Sequence, residues 1–261
     1  MNPLHDVQLY LLDMDGTFYL GDHLLPGALE FLDKVRASGR RFCFLTNNSS
    51  KSRGAYLDKL AALGARVSEQ EMFTSGDATL EYLEMAGISK DILLIGTPSL
   101  EAQFAAAGYR LDSPAPQAVV LGFDTTITYQ KLTALCVAVR AGLPYIATHP
   151  DFNCPVPGGF IPDIGAVIAF VRAATGRDPD LVVGKPNAMI AQAAARRAGL
   201  LVEQLCMVGD RLYTDIALGQ NCPVKTALVL CGETTPDQAA QSDIRPTVTA
   251  QNLAELLEYL D

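Results

Sequence analysis

The sequence predicts an α/β fold built on a parallel sheet. Short apolar runs, such as Leu9 to Leu12, alternate with longer stretches of 3.6-residue apolar periodicity, and short loops join them. Polar clusters recur where the apolar runs end, which is where open α/β sheets hold ligands. The length of 261 residues, 49% of them hydrophobic, allows one large domain or two smaller ones.

The elements follow in order. Residues 7–12 read as a buried strand. Pro26 suits a first helical turn, Ala28, Leu29, Leu32 and Val35 give that helix an apolar face, and Gly39 closes it. Residues 42–45 form the next strand and run into Thr46-Asn47-Asn48-Ser49-Ser50. Residues 51–63 are helical, and a weaker strand at 72–74 leads to a helix ending at Met85. Strands at 92–95, 118–121 and 145–147 alternate with helices at 99–107 and 128–141. A loop rich in Pro and Gly covers 148–162, long enough to suggest function. Helix 164–175, strand 181–183, helix 187–198 and strand 205–208 come next. A short helix near Ile216, a strand at 226–230, a short strand near Val248 and a helix at 252–259 close the chain.

Composition narrows the function. A net charge of −9 disfavours a polyanion-binding surface and so a nucleic-acid partner, while one focused cationic pocket suffices for a small anion. Six scattered cysteines without a CxxC pair, and three histidines, speak against a zinc site and against a disulfide framework. The N-terminus has no basic region before its apolar run, and no apolar stretch approaches the ~20 residues of a membrane span. A cytoplasmic protein with no membrane partner is expected.

Four clusters carry the chemistry: Asp13-Met14-Asp15-Gly16-Thr17, Thr46-Asn47, Gly184-Lys185-Pro186, and Gly209-Asp210 with Asp215. In a parallel sheet, strand ends share one edge, so the four are expected to converge. Asp13, Asp15, Asp210 and Asp215 against Lys185 alone are poorly compensated. Mg²⁺, which takes carboxylate and substrate oxygens, restores the balance and admits a phosphate. The Thr46 hydroxyl and the Asn47 backbone N–H suit that phosphate, and no serine or cysteine triad is evident. A carboxylate nucleophile is the natural alternative.

"LLDMDGTFYLG", "LTNNSS", "VVGKP" and "MVGDRLYTDI", in this order, resemble the four motifs of the haloacid dehalogenase (HAD) superfamily, and its NagD-like, p-nitrophenyl phosphatase branch in particular. The resemblance runs over nearly the whole chain. It implies a Rossmann-like core at 1–85 and 177–261 and an inserted α/β cap at 86–176. It also implies a Mg²⁺-dependent phosphatase acting on small phosphate monoesters, sugar phosphates or nucleotide-like. Asp13 would be nucleophile and metal ligand. Asp15 would be the general acid/base and would bind the metal through its backbone carbonyl. Thr46, Asn47 and Lys185 would hold the phosphate, Asp210 would ligate the metal, and Asp215 would hold its surroundings. Family members often carry an "ATNPD"-like segment, and this chain reads "ATHPD". His149 and Asp151 are therefore candidates for a specificity loop. A phosphotransferase or mutase on the same core and a non-enzymatic phospho-acceptor are the alternatives, and a homodimer is an allowed assembly.

Overall fold

The computed structural model describes residues 2–111, 113–156 and 158–260. The chain forms two compact units. The first comprises Met1–Thr46, Tyr56–Phe73 and Lys185–Asp261. The second comprises Asn47–Ala55 and Thr74–Gly184. It is wider than the expected 86–176 interval and takes the segment after Thr46 as well.

In the six-stranded sheet the order is Val248–Ala250, Lys225–Val229, Leu205–Gly209, Leu9–Leu12, Arg41–Thr46, Met72–Thr74. The pairings from Val248–Ala250 across to Arg41–Thr46 are parallel. The central strand Leu9–Leu12 is buried along its whole length, as expected of a strand covered on both faces. Its register pairs Leu12 with both Val208 and Phe44. Asp13 therefore emerges level with the ends of two flanking strands, and its N–H still donates to Val208 O at 2.9 Å.

Aromatic residues fill the core of this unit. Phe44 meets Phe18 edge-on at 4.8 Å and Phe42 at 5.8 Å, and Tyr10 meets Phe31 at 5.4 Å. Helix Ala28–Ala37 buries Ala28, Phe31, Leu32 and Val35. Helix Ala188–Ala198 is capped by the Asn187 side chain, which accepts from Met189 N–H. A short hairpin, Tyr19–Leu20 with His23–Leu24, follows the first strand.

The second unit has its own parallel sheet, ordered Leu181–Val182, Tyr145–Ala147, Ala118–Leu121, Ile92–Ile95. Its core gathers Ile95, Val119, Leu121, Leu135, Val139, Tyr145 and Val171. The strand before Lys185 thus belongs to this second sheet. Only three of the four clusters lie at ends of the six-stranded sheet, and the expectation that all four share one strand edge is corrected. Loop 148–162 also contains an antiparallel hairpin, Asn153–Val156 with Gly159–Pro162. Among the described residues, no helix is long and apolar enough to cross a membrane.

Phe44 is fully buried. Phe44→Ala should lower the unfolding free energy by about 3–5 kcal/mol through lost burial and the cavity left behind. Phe44→Leu should cost much less. Urea denaturation followed by circular dichroism checks both.

Candidate active site

The first unit concentrates charge around one lysine. Lys185 is 2% exposed, and its Nζ lies 2.6 Å from Asp13 Oδ1 and 2.6 Å from Asp215 Oδ1. It also donates to Leu45 O at 3.3 Å. Burial alone would push this ammonium down, but Asp13 and Asp215 together outweigh it and hold the group above the usual lysine range.

Asp210 leaves the strand Leu205–Gly209 beside Asp13. It accepts from Thr17 Oγ1 at 3.2 Å and from Glu233 N–H at 2.7 Å. Burial, then the charges of Asp13 and Asp215, push its carboxyl up to about 7. Asp215 sits on a single π-helical turn, Leu212–Ile216. Its Oδ2 accepts from Arg211 N–H at 3.1 Å, which pins the side chain under the turn. Burial pushes Asp215 up to about 6 against the opposing pull of Lys185. Gly16, at φ +88°, is required where the backbone passes the Asp210 carboxylate, because a Cβ there would collide with it.

Asp13, Asp210 and Asp215 each bring a carboxylate oxygen within 4.8 Å of the others. Three carboxylates against the Lys185 ammonium, with the Arg211 guanidinium nearby but itself paired to Glu233, leave negative charge that burial makes costly, as the raised Asp210 and Asp215 indicate. That donor set, all oxygen, fits a hard divalent cation. Of the three, Asp13 has the most accessible side chain, at 15%.

Asp15 lies exposed on the turn after the first strand. Burial first, and the neighbouring Asp15 second, hold the Tyr19 phenol above the usual tyrosine range, and Tyr19 Oη donates to Asp15 Oδ2 at 3.3 Å. Thr46 is buried at the end of its strand. Asn47, His149 and Asp151 fall in the second unit. There Asn47 Nδ2 donates to Asp151 Oδ1 at 3.1 Å, and Ser75 Oγ donates to Asn47 O. Glu233 was not anticipated from the sequence. The available signal was the polar run Gly232-Glu233-Thr234 that follows the strand Lys225–Val229.

A parallel sheet that gathers carboxylates beyond its strand ends against a buried lysine defines a class of hydrolase. A family model described as haloacid dehalogenase-like hydrolase matches residues 10–110, and one described as HAD-hydrolase-like matches residues 182–256. The chain belongs to this family, in its NagD-like, p-nitrophenyl phosphatase branch. The crystal structure of a 4-nitrophenylphosphatase from Thermotoga maritima is 45% identical with a TM-score of 0.96, and all of both chains is covered. An acid sugar phosphatase of Staphylococcus aureus is 32% identical over 97% of each chain. A glycerol phosphate phosphatase of Mycobacterium tuberculosis, solved in complex with magnesium, is 30% identical with a TM-score of 0.87, covering 98% of this chain and 78% of that one.

The raised acids have a consequence for metal-free protein. A carboxyl near 3.8 when unfolded and about 7 when folded binds more protons in the native state between those values. Stability from Asp210 is therefore full at low pH and is lost as pH rises through about 7. In excess chelator, the Tm should fall between pH 5 and pH 7.5, and Asp210→Asn should flatten that slope. Thermal melts at the two pH values measure it.

Proposed function

We propose that this chain is a Mg²⁺-dependent phosphatase that hydrolyses small phosphate monoesters through an aspartyl-phosphate on Asp13, with the second unit acting as the cap. The observation that carries this reading is Lys185, buried and 2.6 Å from both Asp13 and Asp215. One oxygen of Asp13 is fixed by the ammonium, while the side chain keeps some exposure for an incoming phosphorus.

In this reading an Asp13 oxygen attacks phosphorus and the ester P–O bond breaks. Asp15 gives a proton to the leaving alkoxide. It then takes one from the water that cleaves the aspartyl-phosphate, which regenerates Asp13 and releases inorganic phosphate. Tyr19 Oη holds Asp15 during both transfers. Lys185 stands beside Asp13, where it neutralises charge on the non-bridging oxygens. The Thr46 hydroxyl and the Asn47 N–H are assigned to the phosphate. Asp13, Asp210 and the Asp15 backbone carbonyl would hold Mg²⁺, with Asp215 supporting them through Lys185. When bound, the ion supplies positive charge to the phosphoryl oxygens.

The substrate is a small phosphate ester. The named relatives differ in theirs, a nitrophenyl ester, a sugar phosphate and a glycerol phosphate, so the particular ester does not follow from the family alone. His149 and Asp151 are assigned to that reading of the leaving group.

Hydrolysis of p-nitrophenyl phosphate should vanish in EDTA and return with Mg²⁺, and Ca²⁺ should support it poorly because it takes more and longer ligand bonds. Full activity in EDTA would sink the metal assignment. Asp13→Asn should lower kcat by about three orders of magnitude or more with the thermal melt retained. A tenth of the activity surviving would exclude the covalent route. Asp151→Asn should change kcat/KM unequally across a panel of phosphate esters, with p-nitrophenyl phosphate least affected. Equal losses on all esters would place Asp151 among supports of the catalytic centre instead.

A further inference from the structure

The segment after the strand Tyr145–Ala147 in the second unit carries another cluster. His149, Asp151 and Asp163 each offer a ligand atom, and the three atoms lie within 4.8 Å of one another. The His149 side chain is fully buried between the two carboxylates. Nε2 faces Asp163 Oδ1 at 3.5 Å, and Nδ1 faces Asp151 Oδ2 at 3.7 Å. Asp151 N–H reaches Nδ1 at a long 3.4 Å, while Nε2 makes no hydrogen bond. A fully buried polar nitrogen without a partner is costly and rare, and it calls for a ligand or a bond.

We propose that His149, Asp151 and Asp163 form a binding site for a first-row divalent transition-metal ion in the second unit. Spacing of cysteines and histidines along the sequence speaks against zinc, but folding assembles this set from two carboxylates and one imidazole. An imidazole with carboxylates suits Mn²⁺ or Zn²⁺ better than Mg²⁺ or Ca²⁺. An ion bonded at about 2.1 Å holds adjacent ligands about 3–3.5 Å apart, so the three atoms, now within 4.8 Å of one another, would draw in around it. A neutral imidazole and two carboxylates carry a charge that one divalent ion cancels. With the ion on Nε2 the ring proton would move to Nδ1, and the long Asp151 N–H contact to that nitrogen would be given up. Asp151 then gives one oxygen to the ion and keeps Oδ1 for the Asn47 amide.

The backbone holds the donors ready. A Cβ at Gly184 would come within 2.8 Å of the His149 Cβ, and one at Gly165 within 2.8 Å of Asp151 O. Gly165 N–H donates to Asp151 O at 2.8 Å. Asp163 is the N-cap of helix Ile164–Thr175 and accepts from Ile164 N–H at 2.6 Å. Bound metal would hold Asp151, and through it the Asn47 amide.

The probe is Mn²⁺, titrated into the full-length Asp210→Asn protein so that the carboxylates of the first unit are weakened. Free ion is counted by electron paramagnetic resonance. At least one tight equivalent per chain is expected. Adding His149→Asn, or separately Asp163→Asn, should weaken that equivalent tenfold or more. Both replacements are close in size, and asparagine keeps the helix cap at 163. His149 is one of only three histidines, so its ring proton signals can be followed. They should broaden on Mn²⁺ addition while those of exposed His5 and His23 persist. Absence of a tight equivalent, less than tenfold weakening in either variant, or an unbroadened His149 ring would overturn the site. Binding is read without turnover, so failure here leaves the phosphatase reading untouched, and failure of that reading leaves this one standing.

Discussion

The ammonium of Lys185, shared at 2.6 Å by Asp13 and Asp215, is the contact on which the first unit's acidic centre depends. Three carboxylates within 4.8 Å of one another repel strongly where water is excluded. A lysine answers this with a permanent charge at the end of a flexible stem, and its burial is tolerable only because two anions and a backbone carbonyl receive its protons. Removing it would leave buried charges uncompensated, a larger penalty than the pair's net worth. The rest follows from that anchor. The register of the central strands brings Asp13 level with its neighbours' ends, the π-turn points Asp215 at the ammonium, and Gly16 clears the backbone from Asp210.

Lys185 is also where the chain returns from the second unit to the first, and Asn47 is where it first leaves. Two of the four motifs therefore sit on crossings. This explains why their order along the sequence was informative while their placement was not. The strand Leu181–Val182 has the same apolar look as the strands of the larger sheet, and its membership is decided by pairing with Tyr145–Ala147, a contact between distant residues. Local periodicity carries no record of that choice. The same limit explains the unit boundary. Helix Ser75–Met85 joins the second unit, where the Asp77 carboxylate caps its first turn and receives both Arg53 and Gln103, partners 24 and 26 residues away.

What the sequence did convey was chemistry tied to strand ends. Asp13, Asp210, Asp215 and Lys185 were readable as a set, because four polar clusters after apolar runs, in this order, are much harder to explain as turns than any one of them alone. Most of the strands were readable because each is a short, continuous apolar run. The hairpin at Asn153–Pro162 was hidden by Pro155, Pro162 and the Gly158-Gly159 pair, which read as loop and are tolerated only at a sheet edge. The Glu233 contact to Asp210 was hidden for a different reason. Its donor is a backbone N–H, which every residue but proline possesses, so no side chain announces it.

The two units solve the same electrostatic problem with different cations. In the first, lysine spends its protons on Asp13, Asp215 and Leu45 O, so the positive charge belongs to the protein. In the second, two carboxylates flank a histidine, and the balancing charge is assigned to a bound divalent ion. Relatives that carry asparagine in the "ATNPD" segment would present an amide at this position, a far weaker metal donor than imidazole. Asp151 joins that cluster to Asn47, so the state of the imidazole bears directly on how firmly that amide is held.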